Sequence, residues 1–387
     1  MTDPSSITRA MRAGIGTDTS AGAVIPPIHL STTYTFAGFD QPRAHDYARA
    51  TNPTREILAE AISTLEGGAG GVVCSSGMAA ITTVLIALMN AGDSIAIPHD
   101  CYGGSWRLFH RLAEKGHFTV HTIDFTATEA ACAELRELAP TIVWLETPSN
   151  PLLRITDLAP LISAAKDAGS KAIVDNTFLT PILQRPLELG ADAVVHSTTK
   201  YLNGHSDVIG GAIVAARAED AELFEFWAKT SGTMGTAFDS WLALRGLRTL
   251  PVRMQAHEAG ARAVATALAN HHAVQVVHYP GLPDHPGHAI AARQQAGFGG
   301  MVTFELAGAA QVRAFLDELT CFSLAESLGG TESLVSHPIT MTHASMSPAA
   351  AAAAGLTQGM LRLSVGLEDP EDLVADLRAA LDRAGAA

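Results

Sequence analysis

Ala191-Asp-Ala-Val-Val-His-Ser-Thr-Thr-Lys200-Tyr-Leu-Asn-Gly-His205 decides how the rest of the chain is read. Ala193, Val194 and Val195 form a short apolar, β-branched run, which predicts a buried strand. The run breaks into the small hydroxyl residues Ser197, Thr198 and Thr199, reaches Lys200, and is followed by Gly204. A lysine just past a buried strand end loses solvation. Its charged form is disfavoured and its pKa falls, as an imine-forming amine requires. A salt-bridged lysine at a strand end explains the same pattern when the stretch stands alone.

A second stretch shifts that balance. Ala172-Ile-Val-Asp175-Asn-Thr177 is another apolar run, closed by a carboxylate. An Asp at one strand end and a Lys at the next, with hydroxyls beside the Lys, is the pairing a pyridoxal phosphate site needs. The lysine forms the Schiff base, and the carboxylate keeps the pyridine nitrogen protonated so that the ring serves as an electron sink.

Composition bounds the alternatives. The chain has 387 residues, enough for two or more domains, with 47% hydrophobic and 17% charged content, the balance of a compact enzyme. The formal net charge of -14 and the lack of any Lys/Arg run argue against nucleic-acid binding. An anionic small substrate then needs a few placed arginines. Cys74, Cys101, Cys132 and Cys321 form no CxxC pair and match no zinc spacing, so no metal is expected, and a reducing compartment fits. Met1–Gly22 lacks an apolar leader core, and the longest apolar candidate, Ile81–Met89, is too short to span a bilayer. A cytoplasmic location without membrane contact follows as an expectation.

Along the chain, residues 1–52 look irregular, punctuated by Pro26-Pro27 and Pro42 and by several glycines, yet carry Ile25, Leu30, Tyr34, Phe36 and Phe39. This reads as an arm packing on a neighbouring subunit. Residues 53–250 read as a large domain. It opens with a helix over 54–65 and alternates strands (71–74, 94–98, 119–123, 141–145, 172–174, 193–196) with helices (78–89, 104–115, 129–138, 158–168). Such alternation predicts a largely parallel sheet covered on both faces, with 211–215 as an added edge strand. Residues 251–387 read as a smaller α+β domain. It holds a helix over 257–270, strands over 300–306 and 361–365, a helix over 311–319, and a short surface helix from the alanine run 349–354.

Several turns carry candidate chemistry. Ser75-Ser-Gly77-Met78 opens a helix after a strand, so free N–H groups and the helix dipole can hold a phosphate. Gly67-Gly-Ala-Gly-Gly71 precedes the strand, fails the order of a dinucleotide fingerprint, and weakens a nicotinamide-dependent reading. In Asp46-Tyr47-Ala-Arg49, hydroxyl and guanidinium share one face and suit a phosphate, although a surface loop explains them too. Tyr102 at a strand-to-helix turn can stack on a flat ring or fill a core. Glu146-Thr-Pro-Ser-Asn150-Pro aims Asn150 at the sheet's carboxyl edge. Arg362, amid Leu361 and Leu363, is either a surface arginine or a carboxylate clamp.

Together, Ser197–Asp207, Asp175–Phe178, Glu146–Pro151, Tyr47–Arg55 and Ala325-Glu-Ser-Leu-Gly-Gly330 resemble, in order, the Cys/Met-metabolism family of pyridoxal phosphate enzymes, from about Ile25 to the C-terminus. The resemblance implies an α/β, aspartate-aminotransferase-like (fold type I) architecture: an extended arm, a large mostly parallel-sheet domain and a small α+β domain. It implies Lys200 as Schiff-base and proton-transfer residue, Asp175 at the pyridine nitrogen and Tyr102 over the ring. Gly77, Met78, Ser197 and Thr199 would hold the phosphate from the same chain, and Tyr47 and Arg49 would reach a neighbour's cofactor. Such sharing means a homo-oligomer, usually a homotetramer built as a dimer of dimers.

Arg362, Asn150, Arg107, Glu326, Ser327 and Asp46 are implied as contacts for small amino-acid substrates. The bacterial γ-synthase branch is nearest: γ-replacement on O-succinyl-L-homoserine by L-cysteine, in methionine biosynthesis. A γ-lyase is the alternative. Glu326 argues against β-lyase chemistry, since the family pairs an acid there with reaction at the γ-carbon.

Overall fold

The computed structural model describes residues 4–344, 351–352 and 354–386. Its larger sheet has seven strands: β1 (Gly70–Cys74), β2 (Ser94–Pro98), β3 (Thr119–Ile123), β4 (Ile142–Glu146), β5 (Lys171–Asp175), β6 (Ala193–His196) and β7 (Gly211–Ala215). The spatial order is β1-β7-β6-β5-β4-β2-β3. All run parallel except β7, which pairs antiparallel with both β1 and β6. The expected edge strand is therefore an interior one. Gly211-Ala-Ile-Val-Ala215 is buried at every position, and an unalternating apolar run is what burial on both faces demands.

Local signals place the helices. Asn52 caps the helix Pro53–Glu66 by accepting from the Thr54 and Arg55 N–H groups, and the helix stops at Gly67 with φ 75°. Asparagine at that position is worth about 1 kcal/mol over alanine, and a left-handed C-terminal residue suits glycine. Ser76 caps the helix Gly77–Leu88 by accepting from the Ala79 N–H. Helices Gly103–Glu114, Thr128–Leu138 and Leu158–Asp167 complete the expected series.

Among the described residues, five other helices lie outside the sequence reading: Ser6–Met11, Thr180–Leu183, Ala218–Ser231, Ala237–Leu247 and His288–Gln294. Ser6–Met11 has only 6 residues and one buried side chain, Ala10, so it leaves almost no periodic trace.

A second sheet has the order β10-β11-β12-β9-β8. Its strands are β8 (Val276–His278), β9 (Met301–Glu305), β10 (Ser323–Leu324), β11 (Leu334–Ser336) and β12 (Met360–Ser364). Helices Leu250–Ala269, Ala309–Leu316 and Pro370–Ala386 pack against it around Phe304, Phe315, Leu363 and Leu377. The last helix also extends the sequence reading, which ends on the final strand. Its signals are a first-turn Glu371-Asp372 after Pro370 and a last-turn Arg383. The long helix Leu250–Ala269 enters two cores: Leu250 and Met254 pack with the large-sheet residues, Val264 and Leu268 with the second sheet. The alanine run 349–354 lies partly outside the described residues.

Period-two alternation in β12 links this sheet to the site. Leu361 and Leu363 join the apolar core, so Arg362 and Ser364 point to the opposite face. Among the described residues, no helix is long and apolar enough to cross a membrane, and no group of three or more His, Cys, Asp or Glu side chains could hold a metal.

Candidate active site

The parallel strands all end at one edge, and ligands of open α/β sheets bind there. A cavity of about 510 Å³ lies at this edge. β5 ends in Asp175, β4 in Glu146, and the turn after β6 delivers Ser197, Thr199 and Lys200; all line the cavity. β12, within the second sheet, brings Arg362 to the same space.

Lys200 Nζ donates to Ser327 Oγ at 2.7 Å. Burial, and then the Arg362 cation, lower its pKa from 10.5 to about 8. In the cofactor-free chain the amine is mostly charged below that pH and mostly nucleophilic above it. Labelling of Lys200 by an amine-specific acylating reagent, followed peptide by peptide, should therefore rise with a midpoint near pH 8. A midpoint at the ordinary 10.5 would show that the amine is not desolvated.

The acidic side is built from adjacent strands. Glu146 and Asp175 stand opposite each other in the β4–β5 register. Thr177 N donates to Asp175 Oδ1 at 3.0 Å. Burial raises the Asp175 pKa, against the Thr177 bonds and the nearby His196. Glu146 accepts from Tyr102 N at 2.8 Å and from Trp144 Nε1 at 3.1 Å, and burial followed by the Asp175 charge pushes its carboxyl up. The sequence alone assigns Glu146 no role and singles out only Asn150 from its turn. The signal was the one Asp175 gives, a carboxylate closing a buried strand.

Arg362 is the buried cation of the site, 3% exposed. Its Nη1 donates to Asn150 Oδ1 at 2.7 Å and its Nη2 to Ser327 O at 3.0 Å, while its buried Nε has no partner among the described residues. Burial lowers its pKa from 12.5 to about 10. The turn that aims Asn150 is braced from beneath: Ser149 Oγ donates to Asp100 Oδ2 at 2.7 Å, and Arg154 Nη1 bonds the same oxygen at 3.1 Å.

Gly77, Met78, Tyr102, Arg107 and Glu326 also line the cavity. Asp46, Tyr47 and Arg49 do not. Asp46 instead accepts from the Tyr47 N–H, and Arg49 donates to Lys229 O at 2.8 Å with its guanidinium 5.5 Å from the Tyr47 ring. The expected acidic pair is thus represented in this chain's cavity by Glu326 alone. Met341 and Thr342, from a segment the sequence reading left unassigned, form part of the wall.

The residues fit pyridoxal phosphate. A Cβ on Gly77 would come within 2.8 Å of Ser197 Cβ, so glycine keeps open the space between a helix N-terminus and the hydroxyl turn, where a phosphate is held. Asp175, half-buried at the end of β5, has no cationic hydrogen-bond partner among the described residues, as a carboxylate reserved for a pyridinium should. The depressed Lys200 amine opens on the same cavity.

Comparisons agree with this geometry. The profile described as "Cys/Met metabolism PLP-dependent enzyme" matches residues 7–382. The chain belongs to this family. It is 52% identical to the cystathionine gamma-synthase of Escherichia coli (strain K12) over 371 residues, 96% of each protein. The crystal structure of a cystathionine gamma synthase from Xanthomonas oryzae pv. oryzae in complex with cystathionine superposes with a TM-score of 0.98 at 56% identity, covering 100% of both chains. A cystathionine gamma-lyase of Bacillus subtilis (strain 168) is 44% identical over 97% of this chain and 98% of its own length. The chain is accordingly a pyridoxal-phosphate-dependent enzyme of α/β type with small amino-acid substrates.

Proposed function

We propose that this chain catalyses γ-replacement, joining O-succinyl-L-homoserine and L-cysteine into L-cystathionine with release of succinate. One observation carries the reading: Lys200, Asp175, Arg362 and Glu326 face a single cavity. Likeness to the two γ-synthases above supports the choice of reaction.

When bound, pyridoxal phosphate supplies the electron sink that lets protons leave carbons next to the amino group. Asp175 would hold the pyridine nitrogen, the Gly77–Met78 helix start with Ser197 and Thr199 the phosphate, and Tyr102 the ring face. Arg362 takes the substrate α-carboxylate through its charge, and Asn150 fixes that guanidinium. Lys200, as a free amine, would take the α-proton, hand it on to the bound group and so be free again to take the β-proton, which it returns once the thiol has added, with Ser327 holding its Nζ at 2.7 Å. Met78, Ile81 and Leu328 are among the apolar side chains of the wall, which limit water as a competing nucleophile. Glu326 offers a carboxylate to the distal ammonium of cysteine or cystathionine.

The γ-lyase reading uses the same residues in the same roles, and the Bacillus relative favours keeping it as the second reading. Incubation with L-cystathionine alone separates the two. The proposal expects little 2-oxobutanoate. Rapid 2-oxobutanoate with cysteine identifies a γ-lyase, and pyruvate with homocysteine contradicts the role given to Glu326.

The site is completed, in this proposal, by a second copy. Leu30, Phe36 and Phe39 are 71%, 52% and 100% exposed, and Tyr47, Arg49 and Asp46 sit outside their own chain's cavity. An arm of residues 1–52 covering a neighbour accounts for both facts, with residues 53–250 and 251–387 as the two domains and a cytoplasmic homotetramer as the assembly. Arg49→Ala should then weaken cofactor retention about tenfold or more, as loss of a charge-assisted phosphate contact does. Dialysis of the oligomer with absorbance of the retained cofactor measures it. Retention equal to wild type would remove the shared site.

A further inference from the structure

A carboxylate with no exposed surface stands on the far side of the sheet from the cavity. Glu66, the last residue of the helix Pro53–Glu66, is 0% exposed. Its Oε1 accepts from His196 Nε2 at 2.6 Å and from Asn176 Nδ2 at 2.8 Å. His196, also 0% exposed, closes β6. Asn176 directly follows Asp175. Neighbouring strand residues point to opposite faces: Val195 lines the cavity, and His196 turns away to Glu66.

The cluster is tied further. Asn176 Nδ2 also donates to Gln184 O at 2.8 Å, Gln184 Nε2 returns a bond to Asn176 Oδ1 at 3.1 Å, and Asn176 N donates to Val195 O at 3.0 Å. One oxygen of Glu66 therefore clips together the ends of the two strands that deliver Asp175 and, four residues on, Lys200. Simple core filling does not call for this group. A buried, hydrogen-bonded polar cluster is costly to desolvate and contributes little net stability compared with apolar residues of the same volume. What it provides is a fixed, directional link at one place.

We propose that Glu66, acting through His196 and Asn176, is a positioning residue that sets the separation of Asp175 from Lys200 and so the seat of the cofactor. This rests on Asp175 and Lys200 being the two anchors of pyridoxal phosphate. Groups that support metal-binding side chains typically change affinity by about 10- to 100-fold when lost, and the same order is expected for groups that support these two anchors.

The test uses the full chain loaded with pyridoxal phosphate. Glu66→Gln keeps the shape and an accepting oxygen but removes the charge that strengthens both bonds. His196→Asn removes the clip from the other side and serves if Glu66→Gln does not fold. Leu377→Ala, in the core of the second sheet, is the control for general destabilisation. Cofactor affinity is read by absorbance titration, and ring orientation by the visible circular dichroism per bound cofactor. The proposal expects on the order of tenfold weaker cofactor binding and an altered visible dichroism in either clip variant, with both unchanged in Leu377→Ala. Clip variants that lose thermal stability yet keep wild-type cofactor affinity and dichroism would overturn it. Equal effects in Leu377→Ala would overturn it as well. A wild-type chain that develops no visible band would instead remove the cofactor reading, and this inference with it.

Discussion

Lys200→Ala should abolish turnover, with a loss of roughly 10⁴-fold or more, the combined scale of losing a covalent partner and a general base. Two losses coincide in this one change. The amine that opens on the cavity with a pKa near 8 disappears, and with it the group that can take a proton at one carbon and move another at the next. Ser327 Oγ, its partner at 2.7 Å, is too weak a base to replace it. The fold should tolerate the change, because the strand and turn are held by other contacts. Arg253, 4% exposed, donates to Tyr201 O at 2.8 Å and to Gly246 O at 2.7 Å and fixes the chain just past the lysine. Thermal unfolding should thus stay close to wild type while steady-state turnover vanishes. Partial recovery of rate with an added small primary amine would support the proton-transfer role. Undiminished turnover in Lys200→Ala would remove the mechanism.

The second large effect is at Arg362. Arg362→Leu should lower kcat/KM by roughly 10²–10³-fold, the cost of removing one partner from a desolvated charge pair. Most of the loss should appear as a raised KM, since the guanidinium grips the α-carboxylate before and during reaction alike. The change also leaves Asn150 Oδ1, now bonded at 2.7 Å, without its donor. A second consequence concerns Lys200. Arg362 is one of the charges that lowers the Lys200 pKa, so its removal lets that pKa rise, and the alkaline shift should appear in the pH dependence of Lys200 labelling. A variant with wild-type KM for the homoserine ester would contradict the clamp.

Much of this was legible in the sequence because the site is built from strand ends. A buried strand announces itself as an apolar run, and the residue that closes it stands at the carboxyl edge by construction. Asp175, Lys200, Tyr102 and Asn150 were found that way. Glu146 carries the same mark and was passed over because its turn was read for its prolines. Arg362 is ambiguous for a different reason: alternation fixes which residues share a face, and only the bond from Arg362 to Asn150, in the turn after β4, shows where that face points. β7 was misplaced because strand order is set by long-range pairing, which leaves little local trace. Glu66 illustrates the limit. At the end of an amphipathic helix a glutamate reads as a solvated residue, and only the sheet beneath it turns it into a buried clip.

Product stoichiometry tests the central claim most directly. The purified chain, loaded with pyridoxal phosphate, is given O-succinyl-L-homoserine and excess L-cysteine, and succinate, cystathionine and 2-oxobutanoate are counted together. γ-Replacement predicts one cystathionine for each succinate, with 2-oxobutanoate a minor product that grows only as cysteine is withdrawn. Succinate released with 2-oxobutanoate in equal amount, whatever the cysteine concentration, would mean that the cavity eliminates and does not replace.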